Sequence, residues 1–318
     1  MQNNTHRQAF LPVIIPKTRH YMSQPPPETR RKLTTADYIC FGLVGAVIAY
    51  AAYRVSDVLV YNWNWSRVFN FVIYYDEETS SYVPNLLLEG IATTLRLAFW
   101  ATIVAGTIGL AMGYMRTSNN LAMRMISRCY VELVRNIPPV VFIFIFYFFL
   151  SGQLMPLIGI DDIDKNGVFV SSDIFYIMFG DPRLFSNFVA GALCLALFEG
   201  AYITEIVRAG IQSITKGQWE AARAIGLSPL DVLRDIIFPQ AVRKILPPLA
   251  GQFITLIKDS AIVSLISIQE LTFLATEVAS TTTKVFETWI VVGAMYFILC
   301  YSFATLFGHL EKRTMRAR

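Results

Sequence analysis

At 318 residues, 54% apolar and only 16% charged, with a mean hydropathy of +0.47, the chain departs from an ordinary soluble domain, in which roughly a quarter of residues are charged. A net charge of +4 is too small a surplus to point to nucleic acid. The composition is that of an all-α integral membrane protein.

Residues 1–36 are polar, basic and Pro-rich (Gln24-Pro25-Pro26-Pro27) and lack the short apolar core and small-residue cleavage site of a cleaved signal peptide. They read as a disordered cytoplasmic leader. Six segments are then expected to cross about 30 Å of hydrocarbon: 37–61, 85–115, 129–151, 186–207, 245–268 and 286–310.

Residues 62–84 follow the first span as an external loop. The second span carries Arg96 near its middle and Gly109-Leu-Ala-Met-Gly113, a small-xxx-small pattern that lets helix backbones approach closely. Beyond the third span, the outside segment 152–185 contains Asp161-Asp162-Ile163-Asp164-Lys165-Asn166-Gly167. A calcium loop would need a bidentate Glu at the twelfth position; Ser172 stands there, so the segment reads as solvated acidic surface and no metal is assigned. The fourth span contains Glu199 and Glu205, and Lys258-Asp259 interrupts the fifth. Cys40, Cys129, Cys194 and Cys300 fall in or beside spans without metal-ligand spacing and read as small buried thiols.

Topology follows from the basic residues. Twenty of the 27 Lys and Arg fall in segments 1–36, 116–135, 206–245 and 311–318, four fall in the segments between, and Arg54, Arg96 and Lys258 lie inside spans. By the positive-inside rule both termini are cytoplasmic, with 313–318 a basic tail.

The longest inside segment holds a polar, helix-forming run, Gly217-Gln-Trp-Glu220-Ala221-Ala222 through Phe238-Pro239. Gly226 is placed to close a first helix in the left-handed conformation, Ser228 to cap a second, Pro229 to open it, and Asp231 to sit in its first turn. Leu230, Leu233, Ile236 and Ile237 recur at helical spacing opposite Asp231, Arg234 and Asp235, as in an amphipathic helix along the membrane base. Physics alone allows either a surface helix resting on lipid or a docking element for another protein.

No Gly-Lys dipeptide occurs in the sequence, which removes a phosphate-binding loop of the G-x-x-x-x-G-K-[ST] kind; no nucleophile–base pair supports a membrane enzyme. Arg96, Glu199 and Lys258 are costly in a span unless paired or facing water. Structural pairing and a polar substrate route both fit them, as does the alternative of an ion-gradient-driven secondary transporter or channel.

The spacing Glu220-Ala221-Ala222, three residues, Gly226, nine residues, Ile236, one residue, Phe238-Pro239 resembles the cytoplasmic loop of ATP-binding-cassette importer permeases. Glu199-Gly-Ala-Tyr202, Arg208-Ala-Gly-Ile211, Gly217-Gln218, Lys258-Asp259-Ser260 and Tyr130-Val-Glu132 with Arg135-Asn136-Ile-Pro138 are similar to the polar amino acid permeases. Ile137, Pro139 and Ala261 depart from that pattern. The resemblance implies a five-helix permease core over 85–312, to which the first span is an addition, and a coupling loop at 217–239 carried by Gly217, Glu220, Ala221, Ala222, Gly226, Ile236 and Pro239. It also implies a multi-pass protein of the bacterial inner membrane. The expected partners are a cytoplasmic ATPase dimer that uses the ATP and Mg, a second permease subunit, identical or homologous, and an extracytoplasmic amino-acid-binding protein. No cofactor is expected on this chain.

Overall fold

The computed structural model describes residues 34–58, 61–157, 159–160 and 172–316. The leader through residue 33 and the acidic run Asp161 to Gly167 lie outside the described residues. The chain divides into two units, Met1–Asn62 and Trp63–Arg318.

In the first unit, helix α1 (Thr35–Val58) contains a 20-residue apolar stretch, Thr35–Arg54, long enough to cross a membrane. The second unit opens with α2 (Trp65–Phe69) and a two-stranded antiparallel hairpin, β1 (Ile73–Asp76) with β2 (Ser81–Pro84). The expected external loop is thus ordered onto the core: Val68 is buried with Leu87, Leu271 and Val292, and the Asn64 amide donates to Glu287 at 2.8 Å.

Helix α3 (Leu86–Thr117) begins at Asn85, whose side chain caps it. The expected third span, 129–151, is interrupted. It forms two helices, α4 (Leu121–Asn136) and α5 (Pro139–Ile145), the latter running into a π-helical turn at Phe146–Ser151, with a bend of 112° between them. The cause is Pro138-Pro139. A proline disfavours the α conformation in the residue before it and brings no N–H, and Ile137 and Pro138 are accordingly extended, at ψ 134° and 138°. Cys129 lies exposed on α4 rather than buried as expected; Cys40 is likewise exposed within its own unit, and Cys194 is buried. The segment expected outside supplies α6 (Gly152–Leu157) and α7 (Asp173–Phe179).

Helix α8 (Phe185–Gln212) is the central element, its buried residues running the length of the helix. The glycine pattern does what its spacing predicts: a Cβ on Gly113 would stand 2.6 Å from that of Val207, and one on Gly109 would meet Ile203. Only residues without a Cβ allow α3 and α8 this approach.

After α9 (Lys216–Ala224), the helical path resumes at Pro229 and continues without a break to Ile266. The expected amphipathic helix is therefore continuous with the fifth span. Pro229–Asp231, a π-helical turn at Val232–Ile237, α10 (Phe238–Asp259) and a 3-10 stretch at Ser260–Ile266 follow one another directly. The wider turn moves the buried positions to Val232 and Ile237, five apart, and leaves Leu230 exposed. Lys258-Asp259 marks the change from α to 3-10 geometry.

Residues 269–285, expected as a loop, contain α11 (Leu271–Thr282), and α12 (Val285–Arg316) closes the chain. A buried polar knot fixes α11. Glu270 caps it by accepting from the Phe273 amide at 2.8 Å, the Tyr296 hydroxyl of α12 donates to the same carboxylate at 2.8 Å, and Thr94 of α3 accepts from the Leu271 amide at 3.3 Å. Among the described residues five helices are long and apolar enough to span, and six segments if the bent pair counts as one span.

Candidate functional site

The loop between α8 and α10 is built by local backbone chemistry. Helix α9 ends in a Schellman motif: the Gly226 amide donates to Arg223 O at 3.0 Å and the Leu227 amide to Ala222 O at 3.3 Å. That closure puts Gly226 at φ +83°, in the region that glycine alone occupies without steric cost. Ser228 then accepts from the Asp231 amide at 3.3 Å, and Pro229 occupies the first position of the next turn.

The signature residues divide by role. Ala222 is buried in the core cluster that also contains Val232 and Ile237, so it welds α9 to the helical path that leads into the fifth span. Gly217, Glu220, Ala221, Gly226 and Pro239 are exposed, with Ile236 half-buried. Gln240 donates to Ile236 O at 2.8 Å, and Lys244 Nζ to Ser213 O at 2.9 Å. The loop is thus continuous with α8 and α10, and it also exposes large apolar side chains, Ile225 at 75%, Leu230 at 67% and Phe238 at 48%.

Arg96 lies elsewhere. Ten residues into α3, it donates through Nε to Ile177 O at 2.8 Å and places its guanidinium 5.5 Å from the Tyr176 ring centroid. Trp100 Nε1 donates to Met178 O at 3.1 Å, so the two side chains together fasten α7 to α3. Arg96 also lines a cavity of about 550 Å³ with Glu89, Asp181, Asn187, Phe188 and Gln269. Arg183 donates to the Asp181 carboxylate at 2.7 Å, which holds that carboxyl below the usual carboxylate range.

Glu199 is fully buried in α8. It accepts from Gln252 Nε2 of α10 and faces Asp259. Twelve residues of helix, about 18 Å, separate it from the cavity at Asn187, so Arg96 does not converge with Glu199. Lys258 is exposed on α10, one residue from Asp259, with Cys300 of α12 within electrostatic range. The three expected path residues therefore form a cavity-lining cation and a separate Glu199–Lys258 level.

Two features escape a linear reading. Gln252 is the partner that Glu199 needs, and its signal is a lone amide in an apolar run. At the loop end of the bundle, Glu205 joins Arg116 of α3 at 3.0 Å to Arg208 at 2.7 Å, while Arg135 stacks over Tyr202 at 5.1 Å. The i, i+3 spacing of Glu205 and Arg208 was visible; the link to Arg116 depends on the packing of α3 against α8.

Comparison with known proteins fits this architecture. Residues 105–316 match the family model described as the binding-protein-dependent transport system inner membrane component. The chain is 31% identical to the probable glutamine ABC transporter permease protein GlnM of Bacillus subtilis, covering 72% of this chain and 93% of that one. To the glutamate/aspartate import permease protein GltK of Escherichia coli O6:H1 it is 32% identical, covering 76% and 99%. A crystal structure of an amino acid ABC transporter with histidines is similar at a TM-score of 0.57 and 32% identity, over 72% of this chain and 94% of that chain. Such a permease works with a separate ATPase and a substrate-binding protein. The family match, the relatives and the apolar helices lead to one assignment: the chain belongs to the binding-protein-dependent inner membrane components, as an ABC importer permease of the polar amino acid family and a multi-pass protein of the bacterial inner membrane that leaves ATP hydrolysis to another subunit.

Proposed function

We propose that this chain forms part of the path for a polar amino acid and that the Gly217–Pro239 loop couples it to a cytoplasmic ATPase dimer. The observation that carries the reading is the loop itself. It is locked by a Schellman motif and a capped turn, joined through Ala222 to the helical path of the fifth span, and exposes Ile225 and Leu230 to water. Exposed large apolar residues on a rigid, otherwise polar loop suit a protein partner. Closure of the ATPases would push this loop, and its unbroken connection to α10 would carry the motion into the bundle.

A second permease subunit, identical or homologous, encloses the path, and an extracytoplasmic binding protein delivers the amino acid. Arg96, with Glu89 on the same cavity, offers a cation and a carboxylate to a zwitterion; Glu199 and Lys258 provide a second polar level further along. Both termini are cytoplasmic, on the basic-residue distribution.

Two experiments test this reading. Co-expression with an ATPase encoded beside the permease gene should give a complex that survives purification, and Ile225→Asp with Leu230→Asp should release the ATPase while leaving permease abundance unchanged. Retention of the ATPase by that double variant would reject the loop as the docking surface. On a cysteine-free background, Lys165→Cys should react with an impermeant maleimide from outside and Lys216→Cys only after the cytoplasmic side is opened; the reverse pattern at either position would reject the topology.

A further inference from the structure

At the loop end of the bundle, beside the ion pairs already described, lies a second cavity of about 470 Å³. Four arginines line it: Arg116 from α3, Arg124 and Arg128 from α4, and Arg208 from α8. Against them stand Glu132 on the cavity wall and Glu205, which bridges Arg116 and Arg208. The cationic surplus is two charges. It is also incompletely paired. Arg116 Nη1 is buried without a hydrogen-bond partner, Arg128 reaches Glu132 only at 4.0 Å, and among the described residues Arg124 forms no ion pair. A buried guanidinium nitrogen left without an acceptor is costly, and four arginines facing one space repel one another. An anion in the cavity offsets the repulsion among the arginines that line it.

The remaining wall identifies the kind of anion. Leu121 and Met125 line the same cavity and are exposed at 62% and 61%. They sit on the flank of α4 next to Arg124 and Arg128, whereas Ser127, Val131 and Val134 turn inward. Ser127 holds that inner face by donating to Met112 O at 2.7 Å. The 112° bend at Ile137-Pro138 sets α4 across the direction of α5 rather than in line with it. The helix therefore presents a row of guanidinium groups beside an apolar edge, the arrangement of an interfacial amphipathic segment.

We propose that this cavity binds a phosphate-bearing anion, and that the apolar edge makes it the headgroup of an anionic phospholipid, with the phosphate among Arg116, Arg124, Arg128 and Arg208 and an acyl chain against Leu121 and Met125. Arginine suits the phosphate because its planar fork donates two parallel hydrogen bonds. The bound lipid would brace α3, α4 and α8 at the end of the bundle from which the coupling loop emerges.

Native mass spectrometry of the full-length permease, purified with the subunits that accompany it, provides the test. The probes are phosphatidylglycerol, phosphatidylcholine and inorganic phosphate. The wild-type protein should retain phosphatidylglycerol in preference to phosphatidylcholine by roughly tenfold or more, as expected for two or more arginines near a phosphate. Arg124→Gln with Arg128→Gln should bring that preference close to one while thermal stability in detergent stays at the wild-type value, because neither side chain is buried. Leu121→Ser with Met125→Ser should weaken retention of both lipids and keep the preference. Equal retention of the two lipids by the wild type, or a preference unchanged in the arginine variant, would overturn the site. Full displacement of phosphatidylglycerol by millimolar inorganic phosphate would overturn the lipid headgroup and identify free phosphate as the ligand.

Discussion

Gly226→Val is expected to abolish most amino acid uptake while leaving the permease in the membrane at near-normal abundance. The residue sits at φ +83° with nothing within 4 Å of where a Cβ would stand, so the damage comes from backbone strain and not from collision. An L-residue in this region costs about 1–2 kcal/mol, and a β-branched one about 3. The Schellman closure would lose its geometry, and the fraction of loops able to dock would fall on the order of a hundredfold. Gly226→Ala should cause a decrease of only about tenfold, and Gly226→Asn should retain most uptake, because Asn tolerates the left-handed region. This order, Asn above Ala above Val, separates strain at the coupling loop from a general loss of bulk tolerance. Wild-type uptake by the Val variant at wild-type abundance would remove the loop from the coupling path.

The second large effect is expected in the bundle. Gly113→Leu should sharply reduce permease abundance, because even the first carbon of the new side chain would lie 2.6 Å from Val207 Cβ and 3.1 Å from the Thr204 carbonyl oxygen. Overpacking of this kind costs about 1–3 kcal/mol for modest insertions and more for a whole side chain. The milder Gly113→Ala should lower thermal stability in detergent, and adding Val207→Gly, which removes the Cβ that would stand 2.6 Å away, should cost less than the sum of the two single changes, since the two positions share one contact and their effects do not add. Gly106→Ala should be close to neutral, because nothing lies within 4 Å of a Cβ there. A Gly113→Leu protein with unchanged abundance and melting temperature would contradict the close packing of α3 on α8.

These two glycines also illustrate what was legible in the sequence. Gly226, Ser228 and Pro229 act through their own backbone and nearest neighbours, and the turn they form follows from residue type and spacing alone. Gly109 and Gly113 signalled a close helix contact, although nothing linear named Ile203 and Val207 as the other side. The break at Ile137-Pro138 was hidden by hydropathy: residues 129–151 are apolar on average, and an average does not register two prolines that turn the chain by 112°. The amphipathic helix expected after Gly226 runs through a π-helical turn directly into the fifth span, a connection that residue spacing alone does not show. Helix α11 was missed because it is 12 residues long, short of a span, and its order depends on a tertiary knot of Glu270, Tyr296 and Thr94. Likewise, Arg96, Glu199 and Lys258 stood out as costly charges, but only packing could separate the first from the other two.

Uptake in proteoliposomes is the most direct test of the central claim, that this chain is driven by ATP through its cytoplasmic loop. The permease would be reconstituted with and without its ATPase, together with the extracytoplasmic binding protein and a radiolabelled polar amino acid, in vesicles carrying either internal ATP or an imposed proton or sodium gradient. The account predicts uptake only with both the ATPase and ATP, and none from either gradient. Gradient-driven uptake by the permease alone would contradict it, and would turn attention to the buried Glu199 and the half-buried Asp259 as the ion-coupled groups of a secondary transporter.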